Sequence, residues 1–176
     1  MKANQRKYNN KKAYSLFLKT LTEIGCLYEL RADDGKLIRF IYDDKTYRAY
    51  CDYENEQEWD TISIFYFYTA IPSPMEDKWF IWMAKTLNRI NVTCKITAYY
   101  NSVADEEADT PFMASKVVTE YVSRIPDLKH YLKNVLGEFS TAMAIVKEEI
   151  DRYWEDEKLM DMVKCFAKSN IDVTQN

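Results

Sequence analysis

An α+β fold is the class this sequence predicts: an antiparallel sheet of about five to six strands in α-β(3-4)-α-β(2)-α order, with helices packed on it and a C-terminal helical extension. Three observations carry that reading. The chain holds only 3 Gly and 4 Pro in 176 residues, which favours long regular elements over a loop-rich design. Apolar residues recur at helical spacing in separated windows and alternate with polar ones in the windows between. Strand patterns also arrive in runs, where a parallel sheet would place one between successive helices.

Tyr14, Phe17, Leu18, Leu21 and Ile24 fall at i, i+3, i+4, i+7 and i+10, one stripe of an amphipathic helix, and Gly25 is placed to end it. Three strand patterns follow: residues 26–31 run into A-D-D-G, 36–42 into D-D-K and 46–53 into the acidic E-N-E-Q-E. In the third, Tyr47, Ala49, Cys51 and Tyr53 share one face, and Thr46, Arg48, Tyr50 and Asp52 the other. The next strand, W-D-T-I-S-I-F-Y-F-Y-T-A at 59–70, is apolar on both faces. Ile62, Ile64, Tyr66 and Tyr68 point one way, Phe65 and Phe67 the other, so both faces call for cover.

S-P-M-E at 73–76 marks a helix start: Ser73 caps, Pro74 suits the first turn and Glu76 completes a capping box. That helix is expected to reach Ile90 and to bury Trp79, Trp82, Met83, Leu87 and Ile90. Past Asn91, the residues Val92, Cys94, Ile96, Ala98 and Tyr100 alternate with Thr93, Lys95, Thr97 and Tyr99, the pattern of a half-buried strand. An acidic loop, 101–111, leads to its expected hairpin partner near 112–122. Pro126 then opens a long helix with a near-heptad seam through Leu128, Leu132, Val135, Phe139, Ala142, Val146, Ile150 and Tyr153. A further helical patch, Leu159, Met162, Val163 and Phe166, follows without a Gly or Pro. The expected organisation is a basic arm at 1–10, one α+β domain at 11–155, and a helical extension and tail at 156–176.

Composition narrows the chemistry. With 3 Gly there is no glycine cluster to cradle a phosphate, so dinucleotide and P-loop sites are excluded. Cys26, Cys51, Cys94 and Cys165 are widely spaced, without the paired spacing of zinc or redox motifs, which suits a reduced, cytoplasmic protein. No leader pattern and no apolar run of membrane-spanning length is expected from the sequence. Charge is uneven: residues 1–25 carry six Lys and Arg against one Glu, and 43–60 carry seven Asp and Glu against two basic residues. The basic start is the feature that points to nucleic acid, and it reads more simply as a solvated arm.

Candidate chemistry is sparse. His130 lies on the polar side of the last helix, with no nucleophile motif nearby in sequence. Glu148, Asp151 and Glu155 share a helix face but lack the Glu-x-x-His pattern of carboxylate-bridged metals, and read as a solvated acidic face. The acidic stretches D-Y-E-N-E-Q-E-W-D and A-D-E-E-A-D lack the spacing and central glycine of a calcium loop. Asn91 in N-V-T matches a glycosylation acceptor, relevant only in a secretory protein. Neither cofactor nor metal is expected.

The order of elements resembles the YbjN-like proteins and, more distantly, the type III secretion chaperones with their α-β-β-β-α-β-β-α arrangement. "LIRFIYDDKTYRAYCDY" resembles the family's first hairpin and "TISIFYFY" its third strand. "TLNRINVTCKITAYY" is similar to its run from the second helix through an asparagine into the fourth strand, and "VSRIPDLKHYLKNVLGEFSTA" to its last strand and terminal helix. The likeness covers residues 11–155; the acidic loop at 101–111 and residues 157–176 depart from it. It implies a small, acidic, non-enzymatic bacterial protein that dimerises and binds other polypeptides along apolar surface, with no catalytic residue to carry over.

The sequence thus leads to a non-catalytic, chaperone- or adaptor-like domain, without a membrane segment, that binds another polypeptide or itself as a homodimer. The interaction is expected through an aromatic-rich sheet face with Phe65, Phe67, Tyr50 and Tyr99 as candidates, the first helix covering part of that face. The alternative is a small-molecule binder or enzyme with a cleft between the sheet and the second helix.

Overall fold

In the computed structural model of the chain, the described residues are 2–31, 37–51, 61–68, 77–101 and 112–173, with side chains described from Ala13 to Lys158 except at a few element ends. The first apolar stripe folds as α1 (Lys2–Glu23), whose bounds include the expected limit of the arm at residue 10. Gly25 ends it at φ +83°, where a residue with a Cβ would be strained. The Gly25 amide donates to Thr22 O at 3.1 Å and the Cys26 amide to Leu21 O at 2.9 Å, the paired bonds of a Schellman cap. The cap delivers the chain straight into the sheet.

Four strands follow, β1 (Leu27–Arg31), β2 (Leu37–Tyr42), β3 (Lys45–Tyr50) and β4 (Thr61–Tyr68). After α2 (Asp77–Thr93) come β5 (Thr97–Asn101) and β6 (Phe112–Glu120), then α3 (Leu128–Val173). The β2–β3 hairpin turns on Asp43 and Asp44, both at positive φ, a conformation that Asp tolerates better than most residues. The described strands form one antiparallel sheet in the order β1-β2-β3-β4-β6-β5. The expected α+β class and element order are present. Among the described residues no helix is long and apolar enough to cross a membrane.

Two boundaries depart from expectation. α2 continues through Thr93, held by the Cys94 amide bonding Ile90 O at 2.8 Å, so the alternation that begins at Val92 is first helical. Val92 is accordingly exposed, and β5 begins only at Thr97. α3 is opened by Asp127, not Pro126: its carboxylate accepts from the His130 amide at 3.0 Å. Beyond residue 155 α3 runs on unbroken to Val173, while the side chains of the Leu159, Met162, Val163 and Phe166 patch lie outside the described residues. So do the expected Ser73 cap and both acidic stretches.

All three helices lie on one face of the sheet. Register puts Ile38 opposite Ala49, Ala49 opposite Ile64 and Ile64 opposite Val117, so these share a face with Phe40, Tyr47, Ile62 and Tyr121. Each helix meets that face with a ring. Phe17 of α1 packs edge-on against Phe40 and Tyr121, with centroids 5.9 and 5.3 Å apart. Trp79 of α2 meets Tyr100 at 5.2 Å, and Phe139 of α3 meets Tyr47 at 5.6 Å. The expectation that α1 covers the Phe65/Phe67 side is therefore overturned: Phe17 and Leu21 are fully buried on the same side as α2 and α3. Complete burial of side chains such as Phe17, Ile62 and Ile64 stabilises by about 1.5–3 kcal/mol each.

Two hydroxyls in this core, Tyr47 Oη and Tyr121 Oη, are buried without a hydrogen bond of good geometry among the described residues, Ser140 and Thr20 being the side-chain hydroxyls that approach them. A buried hydroxyl that is poorly bonded keeps most of its desolvation cost of about 1–3 kcal/mol, so removing it should not harm the fold. Tyr121→Phe should melt at or above the wild-type temperature. A loss exceeding about 1 kcal/mol would mean that the hydroxyl is bonded after all.

Candidate interaction face

Strand alternation fixes what the opposite face must carry. With Ile62 and Ile64 beneath the helices, Ser63, Phe65 and Phe67 are committed to the side that no described helix covers. The four candidates meet there. Tyr50 pairs with Ser63, and Tyr99 lies across Ala114 from Phe67. Tyr50, Phe65, Phe67 and Tyr99 are each half-buried, whereas Ser63 and Ala114 between them are buried. Large rings around small residues give a shallow aromatic relief. Phe65 and Phe67 lie nearly parallel, centroids 6.5 Å apart and planes 24° apart.

Two cations that the sequence reading did not single out frame these rings. The Arg48 guanidinium lies 4.7 Å from the Phe67 centroid and the Lys116 ammonium 5.1 Å from that of Phe65. Each such contact is worth about 0.5–1 kcal/mol where solvent reaches it. The register aligns them in one row across the sheet: Glu29, Arg39, Arg48, Phe65, Lys116, Thr97. Arg39 is held by Glu29 at 3.3 Å at the β1 end. The row is net positive on a chain of net charge −4. Parity within each strand would have placed Arg48 on this face, but only register reveals that it stands beside Phe65.

A second concavity, about 470 Å³, lies between α2 and α3, not between α2 and the sheet, and is lined by Ile81, Trp82, Lys85, Arg89, Arg152 and Tyr153 among others. Trp82 Nε1 donates to Glu149 O at 2.8 Å. Arg89 bridges Glu148 and Glu149, and Arg152 does the same from within α3, closing a ring of four charges. Glu148, Asp151 and Glu155 are exposed, as expected of a solvated acidic face, and Glu148 is in addition ion-paired to Arg89 and Arg152. The Arg89 hydrogen bond holds the Glu148 carboxyl below the ordinary 4.5, with Arg152 adding to the effect.

His130 is exposed, as its helical position implied. Cys26, Cys51 and Cys94 are buried, and burial pushes the Cys26 thiol up to about 11, far from the thiolate a nucleophile needs. Among the described residues no group of His, Cys, Asp and Glu could hold a metal ion. Asn91 is engaged in the fold: its Nδ2 donates to Ala98 O at 3.2 Å and its Oδ1 accepts from the Ala98 amide at 2.7 Å.

No family profile and no curated protein matches the sequence. Among solved structures the chain is similar to the crystal structure of YbjN from E. coli, described as a candidate transcription regulator. The two align with a TM-score of 0.51 at 12% identity, over 79% of this chain and 93% of that one. The chain therefore has the YbjN-like fold.

The four-charge ring makes a pH prediction. A carboxyl held below its ordinary value stabilises the fold above pH 4.5, and that contribution fades as pH falls through the lower folded-state value. Glu148→Gln should lower the melting temperature at pH 7, and the gap to wild type should narrow progressively as the pH falls below 4.5. A gap that stays the same size at pH 7 and in acid would show that the charge pairing carries no stability.

Proposed function

We propose that the chain is a non-catalytic protein-interaction domain that receives an acidic polypeptide segment on the helix-free face of its sheet, in the manner of an adaptor or chaperone. One observation carries this reading: the half-buried rings of Phe65 and Phe67, with Tyr50 and Tyr99, are framed by Arg48 and Lys116 on the sheet face opposite the helices. Aromatic residues and Arg are the types that anchor protein interfaces, since both combine apolar area with polar reach. The cation row gives the partner's sign. The alternative, a small-molecule site or active site against the second helix, is supported less well. The charges at the α2–α3 concavity largely neutralise one another, and the described residues bring no nucleophile and base together there.

The same chemistry, stacked rings beside cations, also suits single-stranded nucleic acid, and the YbjN structure is described as that of a candidate transcription regulator. A nucleic acid brings a charge with every nucleotide against a chain of net charge −4 and against Glu29 and Glu120 on this face, a larger repulsion than a peptide with a few carboxylates meets, which favours the polypeptide reading.

Selection of displayed random peptides on the purified chain separates these readings. Acidic, aromatic-bearing sequences should be enriched, with binding weakened by salt and at least about tenfold by Phe65→Ala or Lys116→Glu. Enrichment indifferent to both substitutions, or tighter capture of a single-stranded oligonucleotide than of any peptide, would contradict the proposal.

A further inference from the structure

The concavity between α2 and α3 holds two charges that the four-charge ring leaves over. Arg89, Glu148, Glu149 and Arg152 satisfy one another. Lys85 of α2 and Asp156 of α3 line the same concavity, and among the described residues neither enters an ion pair. Arg89 closes on Glu148 across the two helices, whereas Lys85 and Asp156 do not meet across the opening. Because the ring is neutral as a whole, the field in the opening is set chiefly by these two leftover charges. The apolar wall is built from Trp82 and Tyr153, whose centroids lie 5.9 Å apart at a steep angle, and from Ile81. Trp82 is fixed there, since its indole nitrogen donates to Glu149 O at 2.8 Å. Ile81 is 56% exposed. Single exposed isoleucines are ordinary, but this one borders two rings in a recess.

We infer that this concavity binds a small zwitterion with an apolar body, of the class of a free amino acid with a large apolar side chain. Its carboxylate meets Lys85, its ammonium meets Asp156, and its side chain lies against Ile81, Trp82 and Tyr153. The charges select that class. A purely anionic or cationic ligand would satisfy one leftover charge and stand near the other unpaired, and a neutral apolar one would satisfy neither. Size agrees, because about 470 Å³ falls within the roughly 300–1,000 Å³ of small-molecule sites. The site is one of binding and not of chemistry, since the described residues bring no nucleophile and base together there. It lies on the helix side of the sheet, so it does not depend on what the Phe65/Phe67 face receives, and both can be occupied at once.

Three probes that share an indole body test the inference by calorimetry on the full chain: L-tryptophan with both charges, indole-3-propionate with the carboxylate alone and tryptamine with the ammonium alone. L-tryptophan should bind with a dissociation constant below about 1 mM, about fivefold more tightly than either analogue, and should shift the Trp82 indole proton in the NMR spectrum. Lys85→Met and Asp156→Asn, both at exposed positions, should each weaken it about fivefold at an unchanged melting temperature, and Phe65→Ala should leave it as it was. Absence of binding at about 10 mM would overturn the inference. So would equal affinity for all three probes, which marks apolar partition alone, or tighter binding of indole-3-propionate, which marks a plain anion site. Binding of L-tryptophan indifferent to both charge substitutions would overturn it too.

Discussion

Alternation along β4 is the constraint on which the rest depends. Side chains on a strand point to opposite faces by turns, so burying Ile62 and Ile64 beneath the helices sends Phe65 and Phe67 to the other side with no freedom to adjust. A slip by one residue would put Phe65 and Phe67 where the fully buried Ile62 and Ile64 belong and would break the pairing with β3 and β6 together. The two-faced apolar character of β4 is a division of labour: one face builds the core, and the other supplies a surface.

The three helices meet the constraint as a set. α1 reaches the core face because the Gly25 cap turns the chain directly into β1, leaving Phe17 against Phe40 and Tyr121. α2 and α3 close the rest through Trp79 and Phe139, and the Arg89 clamp on Glu148 and Glu149 ties them to each other. With every described helix spent on one layer, the opposite face keeps its rings half in solvent, framed by cations. Likewise Asn91 caps one edge of the sheet, while β1 has no described strand beyond it at the other.

Much of this was legible in the sequence, because period and turn chemistry are local. The α1 stripe with its glycine stop, the Trp79/Trp82/Met83 side of α2, the α3 seam and the face shared by Phe65 and Phe67 all follow from spacing. What was not legible involves partners distant in the chain. A stripe shows that α1 has an apolar side, but not which face of a doubly apolar sheet receives it. Arg89 and Glu148 lie 59 residues apart, so the latter reads as a solvated acid until the fold brings them together. Lys116 reaches Phe65 only through the β4–β6 register. At Val92 the alternation was real, but the helix ladder extended over it first.

The most direct measurement is the thermal unfolding of two single variants at adjacent positions, Ile64→Ala and Phe65→Ala. Ile64→Ala should cost about 2–5 kcal/mol, as for a fully buried aliphatic side chain, and the larger truncation at Phe65 about 1 kcal/mol or less. Equal losses, or a greater loss at Phe65, would place both residues in packed interior and contradict the one-sided layering of this fold.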